Sequence, residues 1–420
     1  MKHNISILRN CYGCGVCVKA CPVDIISLKE NEDGFYSPRI DEQDKCIECG
    51  LCLKVCAFNH DTVSETSREI GTSEEVGTLR EVASYAAWSN DGNVRQWCSS
   101  GGIGFEIGRH LIGKGYRAIG VRYNPATHRA EHYIASTIEE FMPSAGSKYI
   151  PSTFEKALLE IDLKQKYLVT GTPCQIDSFR RLIRNKRVED NFVLLDFFCH
   201  GVPSLLLWDK YIAEVEQKIG PTGFVSWRNK LTGWHDSWSM QADPRDGSTK
   251  ADPHGSNADP RGGYNLSSQE KEHLYSSRYT RGDLFYTFFL GNYCLNECCY
   301  DACKYKMTSS AADIRIGDLW GNAYKDNEKG VSVALAFTEK GKRILSELKD
   351  SCTLTDEPLT VSIEGQMTHC AKKPSIRNKV IRQLQSDRSL REIKDGLIFR
   401  YRLRFLPERI LNRIKRILNR

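Results

Sequence analysis

The chain has 420 residues, of which 40% are hydrophobic and 27% charged, and its formal net charge is +6. This balance excludes a polytopic membrane protein and a wholly disordered chain, and the length allows two or three domains. The charge is uneven: residues 371–420 carry 16 Lys or Arg against 4 Asp or Glu, a net of +12, which leaves the rest of the chain at −6. A mildly acidic body with a basic tail argues against a nucleic-acid partner. No apolar run reaches the roughly 18 residues of a membrane span, and Met1 to Asn10 lacks a secretory apolar region, so the expected location is the cytoplasm.

Of the 17 cysteines, eight fall within the first 56 residues, as Cys11, Cys14, Cys17, Cys21 and again as Cys46, Cys49, Cys52, Cys56. The runs CYGCGVCVKACP and CIECGLCLKVCA repeat the C-x2-C-x2-C-x3-C spacing of bacterial two-cluster ferredoxins, with Pro22 completing the first copy and Ala57 in place of proline in the second. In that arrangement the fourth cysteine of each run serves the other cluster. Cys11, Cys14, Cys17 and Cys56 would hold one 4Fe-4S cluster, and Cys46, Cys49, Cys52 and Cys21 the other. Gly15 and Gly50 are expected where the backbone passes close to inorganic sulfide. Structural zinc is the lesser reading, since zinc knots do not repeat this eight-cysteine pattern. With every ligand position filled the clusters only move electrons, so residues 1–60 are expected to form an α+β ferredoxin-like domain that serves the remainder.

Residues 61–82 read as a solvated linker, because Val63 to Arg80 is rich in Ser, Thr, Glu and Gly. From residue 83 to 350 the pattern is that of an α/β domain. It has a helix over 101–113, a strand over 118–123, and short apolar runs of strand length at 167–170 and 192–198, each followed by a loop with Gly and Pro. The segment 242–263, with its recurring ADPR, ADPH and ADPR, is expected to be a mobile surface loop, either a tolerated insertion or a lid over a substrate. Residues 351–420 form a C-terminal basic helical region.

Four stretches of the body carry chemistry. Cys98-Ser99-Ser100-Gly101-Gly102 precedes the first predicted helix, which suits a phosphate or pyrophosphate cradle or an ordinary serine cap. Gly146-Ser147-Lys148-Tyr149 offers a cation and an aromatic plane, or is a surface loop. Thr170-Gly171-Thr172-Pro173-Cys174-Gln175 and Phe198-Cys199-His200-Gly201-Val202-Pro203-Ser204 each follow a strand, where α/β sheets place ligands. Arg228, Lys230, Gly233 and Trp234, then residues 299–304 and 312–321, complete the set.

Taken together and in this order, these stretches resemble the coenzyme F-420 hydrogenase/dehydrogenase beta subunit family, in its form with a fused two-cluster ferredoxin domain, over roughly residues 1–325. The resemblance implies a flavoprotein: FAD in an α/β flavin-binding domain, clusters feeding it, and an organic two-electron substrate at the flavin. It also implies a redox donor, such as ferredoxin or a partner oxidoreductase, and includes relatives associated with surface-polysaccharide synthesis. By the resemblance, Ser100, Gly101 and Gly102 are flavin phosphate contacts with Lys148 as a charge partner, and Gly171, Thr172, Pro173 and Gln175 form the loop near the flavin ring. It also implies a third 4Fe-4S cluster with Cys174, Cys199, Cys299 and Cys303 as candidates, the alternative being buried free thiols. Here Ala302 makes the last pair C-x3-C, and Cys294 and Cys298 crowd the same region. His200 is the candidate catalytic proton donor, and a structural histidine is its alternative. The rival to a self-contained enzyme is an electron-transfer adaptor subunit feeding a separate partner enzyme. In the tail, Ile410, Leu411, Ile414, Ile417 and Leu418 fall on one helical face between Pro407 and Arg420. That suits peripheral contact with the inner membrane surface or a terminal helix docked on its own domain.

Overall fold

The computed structural model describes residues 3–8, 11–64, 82–244 and 275–404. Most of the expected linker, the 242–263 loop beyond Pro244 and the Pro407 to Arg420 helix lie outside the described residues.

The two cysteine runs build two five-residue helices, α1 (Val16–Ala20) and α2 (Leu51–Val55), around the antiparallel hairpin of β1 (Ile26–Glu30) and β2 (Tyr36–Ile40). Gly15 and Gly50 are the N-caps, left-handed at φ 85° and 68°, and Cys21 and Cys56 are the C-caps. Glycine is needed at both N-caps for this backbone, which side chains strain to adopt. A Cβ on Gly15 would also press on the Glu155 backbone, and one on Gly50 on the His3 ring. Val16, Ala20 and Val55 share a core with Ile119, Phe154 and Phe179 of the body. Backbone bonds tie the same surfaces: the Phe154 N–H donates to the Cys14 carbonyl at 2.9 Å, and the Ala57 N–H to the Ser178 hydroxyl at 3.0 Å.

The body contributes β3 (Ala83–Ser89), β4 (Arg117–Asn124), β5 (Arg129–Ala135), β6 (Ser152–Thr153), β7 (Tyr167–Thr170), β8 (Phe192–Phe197), β9 (Thr222–Ser226), β10 (Ser239–Pro244), β11 (Tyr275–Arg278), β12 (Ile314–Asp318), β13 (Ser332–Ala336) and β14 (Cys352–Asp356). Nine of these form a mixed sheet in the order β14-β3-β13-β12-β8-β7-β4-β5-β6, while β9, β10 and β11 form a separate antiparallel sheet. Its centre, β12-β8-β7-β4, is parallel. The helices that matter for the site are α3 (Gly92–Trp97), α4 (Ile103–Gly113), α5 (Ile138–Phe141), α6 (Glu155–Glu160), α7 (Pro173–Lys186), α8 (Leu205–Ile219) and α9 (Leu284–Leu290). The runs of β7 and β8 are mostly apolar because both faces are covered, with Asp196 of β8 as a buried exception. Leu168, Val193 and Leu195 pack toward Ile103, Ile107 and Leu111 of α4, and Val169 and Leu194 toward Ile176, Phe179 and Leu182 of α7.

The expected elements at 101–113, 118–123, 167–170 and 192–198 appear as α4, β4, β7 and β8. Two segments differ from expectation. Residues after 350 return to the sheet, since β14 pairs antiparallel with β3, and Ala242 to Pro244 close β10. The half-polar β14 sequence CTLTD pairs along one edge only, so it carries no strong apolar signal. Among the described residues no helix is long and apolar enough to cross a membrane.

One ion pair locks the parallel centre. Arg315 on β12 and Asp196 on β8 are fully buried and joined by two bonds of 2.7 Å. The guanidinium also donates to the carbonyls of Met307 at 2.6 Å and Ser309 at 3.1 Å, and the Ser310 hydroxyl donates to Asp196 at 2.6 Å. We predict that Arg315→Ala, which strands a buried carboxylate, costs about 3–5 kcal/mol in urea unfolding of anaerobically purified protein. Arg315→Lys should rescue little, because an ammonium cannot reproduce the bidentate fork. A loss below about 1 kcal/mol for the alanine variant would show that the pair does not hold the sheet.

Candidate functional site

The eight N-terminal cysteines surround two small cavities. Cys11, Cys14, Cys17 and Cys56 line one, and Cys21, Cys46, Cys49 and Cys52 the other, the same division that the repeat spacing makes. The first set is the inner one, against the body; the second is the outer one, where Cys49 is exposed. Burial, with the charges of neighbouring cysteines, pushes the Cys11 thiol up to about 12 and the Cys56 thiol to about 11. Four such thiols ionise together only around a cationic centre, so the donor set fits an iron–sulfur cluster. Among the described residues no group of three or more His, Cys, Asp or Glu side chains is placed to hold a single metal ion. A cubane instead takes each thiolate on a different iron.

The body brings a third group together. Cys174 stands in the first turn of α7, Cys199 just past β8, and Cys299 and Cys303 on the turn after α9. Burial raises the Cys174 thiol and the charges of Cys199, Cys299 and Cys303 raise it further, and Cys299 is raised in the same way by Cys199 and Cys303. Burial takes Cys199 to about 11, against the lowering influence of Lys306. Cys294 is raised by burial and lowered by the charge of Arg377, and Cys298 lies within reach of Cys299 and of Cys11 and Cys56 of the inner set. Cys370 donates its thiol to the Cys303 carbonyl at 2.7 Å, a proximity that nothing in the cysteine spacing signalled.

Beside this group lies a cavity of about 440 Å³ at the carboxyl ends of β7, β8 and β12, the position at which open α/β sheets bind ligands. Ser100, Gly102, Lys148, Gly171, Thr172, Gln175, Cys199 and His200 all line it. At one end Ile103 and Gly104, the first residues of α4, line the cavity, and their amides have no acceptor within the helix, which makes that end attractive to an anion. Gly102 starts α4 at φ 90°, where glycine is required.

Two of the expected residues stand off the cavity lining. The Gly101 N–H donates to Ser332 Oγ at 2.9 Å and its carbonyl accepts from the Ser89 N–H at 2.8 Å, so its backbone is committed to the sheet. Pro173 is the first residue of α7, where its missing N–H costs nothing. Others reach the cavity through structural roles. Lys148 Nζ donates to the carbonyls of Pro143, Ala145 and Gly146 at 2.8, 3.0 and 3.1 Å, which closes the 143–148 loop around the ammonium. Gln175 accepts from the Thr172 N–H at 2.9 Å and donates to the Ser152 carbonyl at 2.9 Å, fixing the Gly171-Thr172 turn. His200 Nε2 pairs with Asn292 Oδ1 at 2.7 Å, and burial lowers its pKa, which favours the neutral ring.

Several lining residues escaped sequence reasoning. Tyr12 comes from the first cysteine run. Lys306 donates to the carbonyls of Cys199 at 2.6 Å and His200 at 3.3 Å. Asp318 is held by Arg228 at 2.7 Å, whose guanidinium lies between Trp238 and Trp320 at 4.9 and 5.1 Å from the ring centres. Gln366, which donates to the Asp318 carbonyl at 2.6 Å, lines the cavity from the region beyond residue 350. Arg228, Asp318 and Trp320 were visible in the sequence, but only as members of an ordered set without a role.

Residues 164–361, which run from β7 past β14 and carry the cysteines and His200 of the body, match the family described as the carboxyl-terminal region of the coenzyme F420 hydrogenase/dehydrogenase beta subunit. Over these residues the chain is similar to that family. Residues 10–60 match the 4Fe-4S dicluster domain, so the chain is an iron–sulfur electron-transfer protein. A chain in the structure of the F420-reducing [NiFe] hydrogenase complex from Methanosarcina barkeri, derivatised with xenon, is similar at 16% identity and a TM-score of 0.43. The similarity covers 72% of this chain and 87% of that one. No curated protein matches the sequence.

Beneath the Gly171 turn, His132 on β5 is buried against Phe154, with its ring nitrogens 3.0 Å from the Thr153 carbonyl and 3.2 Å from the Thr170 carbonyl. The carbonyls favour a charged ring, but burial opposes it more strongly and brings its pKa down to about 4 from 6.5. Between those values the unfolded chain binds a proton that the folded chain refuses, so stability falls as pH falls through the window. The loss should be about 2 kcal/mol between about pH 7.5 and about pH 5. His132→Gln should flatten that part of the profile in urea unfolding. An unchanged slope in the variant would assign the acid loss to other groups.

Proposed function

We propose that this chain is an FAD-dependent iron–sulfur oxidoreductase that passes electrons between 4Fe-4S clusters and an organic two-electron substrate. The observation that carries the reading is the continuity of the site: the large cavity runs from the anion-attracting start of α4 to Cys199 and His200, directly beside the body cysteines and the inner set. Ser100, Gly102 and the α4 amides would hold the phosphates, and the Gly171-Thr172 turn would hold the ring. A bound flavin supplies the exchange between one-electron and two-electron chemistry that clusters alone lack.

The protein's own groups prepare that chemistry. Gln175 and His132 fix the turn, Lys306 brings positive charge to the Cys199–His200 backbone, and the buried neutral His200, oriented by Asn292, holds a proton at the cavity wall. Residues 1–60 are in this reading the domain where electrons enter, fed by a redox donor such as ferredoxin or a partner oxidoreductase. The domain from residue 83 does the substrate chemistry and extends beyond 350 to include β14. Cys174, Cys199, Cys299 and Cys303 are the proposed ligands of a third cluster. A role in surface-polysaccharide synthesis rests on resemblance alone, and no cavity residue argues for it.

Anaerobically purified protein should contain about eight iron atoms from the N-terminal sets, or about twelve with the body set filled, and one FAD per chain. Zinc in place of iron would overturn the reading. Cys49→Ser should remove about four iron atoms and leave FAD bound, since the outer set is remote from the cavity. Gly102→Val, which forces a branched side chain into a left-handed backbone at the phosphate end, should release FAD while iron is retained. Stoichiometric FAD with its fluorescence still quenched in that variant would show that Ser99 to Gly102 is only a helix cap. Reduction of a small acceptor by the chain alone, with an artificial donor, separates the enzyme from an adaptor that turns over only with its partner.

A further inference from the structure

Tyr12 lies between two cysteines of the first run, yet its side chain belongs as much to the body as to the N-terminal part. It lines the small cavity of the inner set and also the large cavity of the body, and among the described residues no other lines both. It is only 6% exposed. Its hydroxyl meets the Thr172 side chain, and the thiols of Cys174, Cys199 and Cys299 lie close enough to influence it. A buried tyrosine requires a partner for its hydroxyl, and here the partner is supplied by the turn at the carboxyl end of β7. The placement is held from both flanks: the Cys11 carbonyl accepts from the Asn296 side chain at 3.4 Å, and the Cys14 carbonyl from the Phe154 N–H at 2.9 Å. The ring is therefore the partition between the inner cysteine set and the cavity.

We propose that Tyr12 is a contact residue for the flavin in the large cavity, contributed by the ferredoxin segment, and that through it occupancy of the cavity is felt at the inner cysteine set. The inference rests on the flavin reading above. Its consequence is that the cavity is incomplete without residues 1–60. The size of the side chain at position 12 sets the depth of the cavity on that side, and its planarity sets what packs there.

The test uses the full chain, purified anaerobically, with FAD binding followed by flavin fluorescence and the reduced clusters followed by electron paramagnetic resonance with and without FAD. Tyr12→Leu removes the planar ring, and Tyr12→Trp pushes a larger one into the cavity. Each should weaken FAD binding by about tenfold or more, since small misplacements at such contacts are costly, with iron content unchanged. Tyr12→Phe keeps the ring and should bind within about threefold of wild type. In wild type and in the Phe variant, FAD should perturb the resonance of the inner cluster; in the Leu variant that perturbation should vanish. If the Leu and Trp variants bind FAD like wild type and keep the perturbation, Tyr12 is wall filling and the proposal fails alone. If wild type holds its iron but binds no FAD, the flavin reading fails and takes the proposal with it.

Discussion

The buried pair of Arg315 and Asp196 is the constraint on which the cavity depends. Burying two charges is expensive, and an apolar pair of the same volume would often be at least as stable, so the return must lie in what the pair specifies. Its bonds run across the β12–β8 junction and outward to the carbonyls of Met307 and Ser309. The loop thus held includes Met307 at φ 53°, an unfavourable conformation for a residue with a side chain. That loop presents Tyr305, Lys306 and Met307 to the cavity. Strand register, loop conformation and the placement of Lys306 under Cys199 and His200 are therefore one decision, taken at a single guanidinium.

A second constraint ties the cysteine sets to each other. Cys174 belongs to the body group by its neighbours and to the inner cavity by its position, since it lines that cavity along with Cys11 and Cys14. Lys304, next to Cys303, donates to the carbonyls of Ala57, His60 and Thr62 at 2.8, 2.6 and 3.0 Å. The turn that carries two body cysteines is thereby bound to the end of the second cysteine run. The N-terminal part is not a bead on a tether: its helices share a core with α6 and α7, and its chain closes one wall of the cavity.

The parts of the chain legible in the sequence were those fixed by covalent spacing or by two-sided burial. The eight N-terminal cysteines line two cavities in the two sets that the repeat spacing makes, because C-x2-C-x2-C-x3-C leaves a helix of one turn and a half little freedom. β7 and β8 stood out because strands covered on both faces are mostly apolar. Illegible were the choices made by distant packing. Gly101 and Gly102 are adjacent and identical, but the first is pressed against β3 and β13 while the second starts α4 beside the cavity. Lys148 looked like a charge aimed at a ligand, and its ammonium instead closes its own loop. Tyr12 looked like filler between cysteines. In each case the deciding neighbour is more than a hundred residues away, or is a backbone carbonyl that no sequence pattern marks.

Exposure orders the three cysteine groups. The outer set meets solvent at Cys49 beneath an apolar rim that includes Ile47 at 62% exposure, whereas Cys17 and Cys56 of the inner set are buried, as is Cys299 of the body group. In the proposed function a protein donor would meet the outer set and a small molecule in the large cavity the body side, so charge passing between them would cross the inner set, whose small cavity is lined mostly by apolar side chains and cysteines. In such a medium an added electron is stabilised by fixed dipoles and nearby cations rather than by solvent. Lys304 and Lys306, anchored on backbone carbonyls beside the inner and body groups, supply that positive charge in place. In that reading the segment that binds the N-terminal part to the body would also supply the field that holds an electron on its way between them.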